Sequence, residues 1–120
     1  MEDKEYKRLL ERAAAYCAKA ERSAKEVSDK LHRWAREELP ADLEAKILDA
    51  LRADRFIDEE RYVSHFVRDK VEYLAKGPYM LRRELRRKGI SDALTEEALA
   101  AIPVSKWEEQ LRKYLLPKLG

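Results

Sequence analysis

Leucine, isoleucine, valine, alanine and aromatic residues recur along this chain at three- and four-residue spacing, in short runs divided by serine, aspartate, glycine or proline. That period puts the apolar residues on one stripe of a helix, and the dividers prevent any run from becoming a long rod. The spacing therefore predicts a set of short helices sharing cores. In the first run, roughly Glu5 to Ala20, the stripe is Leu9, Leu10, Ala13, Tyr16, Cys17 and Ala20. Ser23 and Glu26 form a capping box before a second run that presents Val27, Leu31 and Trp34. Pro40 suits the first turn of a third, with Leu43, Ile47, Leu48 and Leu51 inward.

The pattern restarts after Phe56 and Ile57. Asp58 is placed to cap a fourth helix, with Glu59 and Glu60 in its first turn, where exposed amides favour negative charge. Its inner face is expected to be Tyr62, Val63, Phe66, Val67, Tyr73 and Leu74. Gly77 and Pro78 divide it from a fifth helix with Leu81 and Leu85 inward, which Gly89 stops. Ser91 opens a sixth carrying Leu94, Ala98, Leu99 and Ile102. A seventh segment, Ser105–Lys118, starts with Ser105 and Glu108 as a second capping box; it presents Trp107, Leu111 and Leu115 and is limited by Pro117.

The grammar is three helices, twice, and the opening of a third set. The expected fold is all-α, with tandem three-helix repeats in an elongated or curved array: residues 5–54, residues 55–102, and an incomplete third repeat or C-terminal helix at 103–120. Ser23–Leu31 overlays Gly77–Leu85 at an offset of 54, matching Val27 with Leu81 and Leu31 with Leu85, while Leu51 meets Ile102 at an offset of 51. A plain bundle of six or seven helices is the alternative arrangement.

Chemistry is sparse. One cysteine and two histidines support neither a disulfide framework nor a soft-ligand metal cluster, which favours a reducing, cytoplasmic setting. Neither a signal peptide nor an apolar run of about 20 residues is present, so no membrane role is expected. Phosphate-loop and zinc-protease motifs are lacking, and Glu59/Glu60 and Glu96/Glu97 read as helix caps or solvated faces. Cys17 reads as a buried small hydrophobe, and His32 and His65 as structural or surface residues. The expectation is a protein that is not an enzyme and needs no cofactor or metal.

Charge is uneven. Residues 1–60 carry 13 Lys/Arg against 16 Asp/Glu, whereas 61–120 carry 13 against 8. The densest cluster is Arg82, Arg83, Arg86, Arg87 and Lys88, with Arg61, Arg68, Lys70 and Lys76 extending it. Arginine there can contact phosphates or fork onto carboxylates, and a solvated charge run is the plain alternative. Tyr79 is free of the core pattern.

Three stretches, A-Y-C-A-K-A-E-R-S-A-K-E-V-S-D-K-L, F-I-D-E-E-R-Y-V-S-H-F-V-R-D-K and G-P-Y-M-L-R-R-E-L-R-R-K-G-I, resemble the RecX family of recombinase regulators in content and order. The resemblance implies an array of three-helix repeats that binds a bacterial DNA-recombinase filament on single-stranded DNA. Such a protein acts as a modulator, usually negative, that lies across filament subunits and reduces ATPase and strand exchange. It also implies that Phe56, Ile57, Asp58, Tyr62, Phe66, Leu81, Leu85, Gly89 and Ile90 form the structural motif. Arg61, Arg68, Arg82, Arg83, Arg86, Arg87 and Lys88 are then the partner-contact candidates. Direct contact with single-stranded DNA is open to them. The family commonly completes a third repeat, of which Ser105–Lys118 supplies only the opening. An autonomous nonspecific nucleic-acid-binding module and a helical adaptor for another acidic protein are the competing readings.

Overall fold

Serine hydroxyls, proline rings and a left-handed turn set the ends of the helices. A computed structural model describes the backbone of residues 2–74 and 76–115 and the side chains of residues 4–72 and 76–113. The expected core side chains of Tyr73, Leu74 and Leu115, the stop at Pro117 and the end of the Ser105–Lys118 segment lie outside the described residues. The elements are α1 (Glu2–Lys19), α2 (Ala24–Trp34), α3 (Ala41–Ala53), α4 (Glu59–Leu74), α5 (Pro78–Arg87), α6 (Asp92–Ala100) and α7 (Val104–Gln110), which runs into a π-helical turn at Leu111–Leu115. The fold is all-α, as the periodicity predicts. It divides into two units, residues 1–62 and 63–120, with the division in the first turn of α4.

In unit 1 each pair among α1, α2 and α3 is in contact. Leu9, Ala13, Val27, Leu31, Leu39, Leu43, Ile47, Leu51 and Ile57 form its buried core, against which Tyr16, Cys17, Trp34, Leu48 and Phe56 pack half-buried. Two expectations on α1 need correction. Ala20 is exposed because the helix ends at Lys19, and Cys17 is only half-buried at the core edge. Burial still pushes the Cys17 thiol up, which keeps it protonated and weakens it as a nucleophile.

Ser23 caps α2: its Oγ accepts from the Glu26 amide at 3.1 Å and donates to Glu26 Oε1 at 3.2 Å. The Tyr62 hydroxyl donates to the same carboxylate oxygen at 2.7 Å, so the first turn of α4 closes onto the start of α2. Burial, and then the Glu26 carboxylate, push the Tyr62 phenol far above its ordinary range. Asp58 caps α4 by accepting from the Arg61 amide at 3.0 Å. Pro40 stands one residue before α3, at its N-cap, rather than within its first turn.

The end of α3 uses a residue that composition does not mark. Arg55 has a φ of 61°, while the Phe56 amide bonds the Leu51 carbonyl at 2.9 Å and the Arg55 amide bonds that of Arg52 at 3.0 Å. This is the Schellman arrangement, in which glycine normally fills the left-handed position. Gly89 fills the corresponding position after α5, at φ 78°, with Ile90 bonded to Leu85 and Gly89 to Arg86. Arg55→Gly should therefore raise stability by about 0.5–1 kcal/mol, the relieved left-handed strain exceeding the added flexibility of the unfolded chain. A higher urea midpoint at unchanged slope is the expected readout; a lower one would contradict it.

In unit 2, Val63, Val67, Val71, Leu81, Leu85, Ile90 and Leu99 are buried, and α5 packs on α6. Val27, Leu31, Leu81 and Leu85, paired by the internal offset, are all fully buried. Ile102 differs from its counterpart Leu51: it is half-buried and lies beyond the end of α6. Thr95 and Gln110, both polar, are buried without having been expected in a core.

Helix α7 departs from its predicted start. Pro103, held at φ −63° and ψ 146°, takes the N-cap, and its carbonyl accepts from Lys106 and Trp107. Ser105 is consequently inside the first turn and the expected box with Glu108 does not form. Leu111, expected inward, is 47% exposed.

Candidate functional site

Helix α5 begins at Pro78, with Gly77 as N-cap, and buries Leu81 and Leu85. Its arginines must then lie on the remaining faces, and the structure divides them. Arg82 donates from Nε and Nη2 to the two Glu96 oxygens at 2.6 and 3.1 Å. Arg86 makes the same kind of fork with Asp92, at 2.9 and 3.3 Å. Both carboxylates belong to α6, so these two arginines join neighbouring helices of one unit. Arg83 and Arg87 are exposed, the former with its guanidinium carbon 5.8 Å from the centroid of the exposed Tyr79 ring.

The other candidates are dispersed. Arg61 lies within unit 1, where it pairs with Glu21 at 2.6 Å and donates to the Arg55 carbonyl at 3.1 Å. Arg68 is exposed on the rim of a cleft of about 420 Å³ that Val71, Ile102, Pro103 and Lys106 also line. Lys88 and Lys70 approach the Phe66 ring from α5 and α4, at 5.8 and 5.2 Å from its centroid. Lys76 pairs with Glu84. Of the motif residues, Ile57, Tyr62, Leu81, Leu85 and Ile90 are buried, Phe56, Asp58 and Phe66 are half-buried, and Gly89 is an exposed turn.

The α5–α6 forks carry a pH dependence. Hydrogen bonds from Arg82 hold the Glu96 carboxyl below its ordinary range, and those from Arg86 do the same for Asp92. A carboxyl depressed in the folded state contributes stability above its unfolded pKa and loses it as pH falls through the folded value. The thermal midpoint should therefore fall below about pH 4, and Asp92→Asn with Glu96→Gln should flatten that fall. Both side chains are solvent-exposed, so the difference should shrink in high salt. An acid limb identical in the double variant would contradict the assignment.

The sequence did not single out a second cationic face, in unit 1. Arg12 lies over Trp34 and Arg22 over Tyr16, with guanidinium carbons 4.5 and 3.9 Å from the ring centroids. The partners stand 22 and 6 residues apart in sequence, so helical spacing carries no signal for either pair. His32 sits 3.0 Å from Glu44. Among the described residues, no group of three or more His, Cys, Asp and Glu is placed to hold a metal ion, and no helix is long and apolar enough to cross a membrane.

These features define an all-α chain of short capped helices in two units, with cations spread over its exposed faces. A family model, the RecX second three-helix domain, matches residues 58–99, which hold α4, α5 and most of α6. The chain belongs to the RecX family. The regulatory protein RecX of Lacticaseibacillus paracasei is 36% identical over 98 residues, covering 82% of this chain and 40% of that protein. The crystal structure of RecX from Lactobacillus salivarius superposes with a TM-score of 0.82 at 26% identity, covering 90% of this chain and 68% of that one. A second crystal structure, of a regulatory protein RecX, gives a TM-score of 0.83 at 25% identity, covering 93% of this chain and 54% of that one. The chain spans 35–40% of the length of the first curated relatives it matches.

Proposed function

We propose that this chain is a non-catalytic regulator of a DNA-recombinase filament on single-stranded DNA, in keeping with the regulatory name of its relatives. The observation that carries the reading is the match of residues 58–99 to the RecX second three-helix domain. In the proposed mechanism the chain binds across neighbouring filament subunits and lowers ATPase and strand exchange without forming or breaking a covalent bond. The three-helix repeats at 5–54 and 55–102, with a further helix after them, would give it contact with more than one subunit.

Arg83, Arg87 and Arg68 are exposed and are the first choices for contact with acidic protein surface. Lys88, held near Phe66, extends that group. Arg82 and Arg86 would contribute by exchanging their α6 partners for filament carboxylates or by fixing α5, and Arg61 by holding the start of α4. A cytoplasmic setting, where such a filament works, belongs to the same reading.

The test is a concentration series of the purified chain against recombinase assembled on single-stranded DNA. ATPase and strand exchange should both fall, in proportion to occupancy of the filament. If both stay unchanged at concentrations where the chain is shown to be folded, the reading fails.

A further inference from the structure

Three cations of unit 1, Arg12 exposed and Arg22 and Lys30 half-buried, are held differently from those of α5. Arg22 and Lys30 approach one ring, with the guanidinium carbon 3.9 Å and the ammonium nitrogen 5.6 Å from the Tyr16 centroid. Arg12 lies 4.5 Å over Trp34, and the two rings meet edge to face with centroids 5.8 Å apart. The five side chains therefore share one face built from α1, α2 and the turn between them. Arg22 is fixed further by Nε donating to the Tyr16 carbonyl at 3.2 Å. None of the three cations forms an ion pair with a described carboxylate. Arg82 and Arg86 are paired with carboxylates of α6, whereas here the cations rest on aromatic rings rather than on described carboxylates.

A guanidinium lying on a ring keeps its charge, keeps most of its edge N–H donors, and turns a second flat face outward. Phosphates can meet the edges and the lysine ammonium, while a nucleobase can stack on the outer plane. An acidic peptide would use the edges alone. Flexible single strands present unpaired bases to such planes, which duplex DNA does not.

We propose that the α1–α2 face of unit 1 binds single-stranded nucleic acid, with Arg12 and Arg22 sandwiched between a base and the rings of Trp34 and Tyr16, and Lys30 on a neighbouring phosphate. This rests on the proposed function only for a single strand lying within reach. It is tested without recombinase, so its failure and that of the filament reading are seen in separate assays.

The experiment uses the full chain carrying Trp107→Phe, which leaves Trp34 as the one indole. A thymidine oligonucleotide of about 15 residues is titrated at about 50 mM salt while Trp34 emission is followed. Saturable quenching is expected. Arg12→Gln should weaken binding about tenfold, and Arg22→Lys, which keeps the charge and loses the plane, several-fold. An abasic strand of equal length should bind about tenfold more weakly, and Arg82→Gln with Arg86→Gln should lose less affinity than Arg12→Gln. Both unit 1 variants are to be checked for native helicity, and Arg12, which touches only a ring, is the safer of the two.

Absence of quenching overturns the proposal. So does parental affinity in folded Arg12→Gln, or an abasic strand as tight as the thymidine strand. Equal quenching by polyglutamate would assign the face to an acidic protein instead, and an equal loss in the α5 double variant would move the contact to unit 2.

Discussion

Leu31→Ala and Leu85→Ala should each lower the unfolding free energy by about 3 kcal/mol. Both leucines are fully buried. Leu31 lies in the unit 1 core with Leu9, Ala13, Val27, Ile47 and Leu51, and Leu85 is both the inner residue of α5 and the carbonyl that closes its C-terminal turn. Truncation removes the transfer energy of three carbons and leaves a cavity that short, capped helices have little freedom to close. Against a total stability of about 5–15 kcal/mol, the loss is large enough to expose part of the population to proteolysis. Urea titration followed by helical circular dichroism gives the number. Leu111→Ala, at a 47% exposed position, should change stability by less than about 0.5 kcal/mol. A loss below about 1 kcal/mol at Leu31 or Leu85 would mean that the core is not packed as described.

The second large effect is on binding. Arg83→Glu with Arg87→Glu should lower filament affinity by more than about tenfold while leaving stability within about 0.5 kcal/mol. These are the α5 arginines that no described carboxylate pairs with, so reversing them turns attraction for an acidic surface into repulsion without costing a described ion pair. Arg82→Ala with Arg86→Ala should behave in the opposite sense. It removes two solvent-screened forks onto Glu96 and Asp92, so stability changes little, and it costs filament affinity less than about threefold. Anisotropy of a labelled chain on preassembled filament separates the two double variants. If the Arg82/Arg86 pair costs more affinity than the Arg83/Arg87 pair, the division of labour on α5 is wrong.

What could be read ahead of the structure follows the range of the interactions involved. Leu9, Ala13, Val27, Leu31, Leu81 and Leu85 are legible because helical periodicity is local: a residue and its neighbours three and four positions away decide which face is buried. Ser23, Asp58 and Ser91 are legible as caps for the same reason, each bonding an amide three residues on. The left-handed turn at Arg55 carries no such mark, since an arginine occupies the place where glycine announces the motif at residue 89. Ser105 misleads because a serine three residues before a glutamate looks like a cap wherever it falls, and Pro103 starts the helix earlier.

The site was read less fully than the fold. The run Arg82–Lys88 is visible as charge, but its pairing with Asp92 and Glu96 depends on how α6 packs on α5. Likewise Arg12, Arg22, Tyr16 and Trp34 are scattered over two runs and meet only when α1 and α2 fold together. Net charge pointed away from unit 1, because a majority of acidic residues in residues 1–60 conceals a local face on which cations sit on aromatic rings instead of carboxylates.

The most direct measurement of the central claim is a matched-salt binding titration of the chain against free recombinase, bare single-stranded DNA and the assembled filament. Regulation of the filament predicts binding to the assembled form at least about tenfold tighter than to either component, because only the filament presents adjacent subunits together. Equal affinity for filament and bare DNA, or no binding to the filament at all, would contradict it.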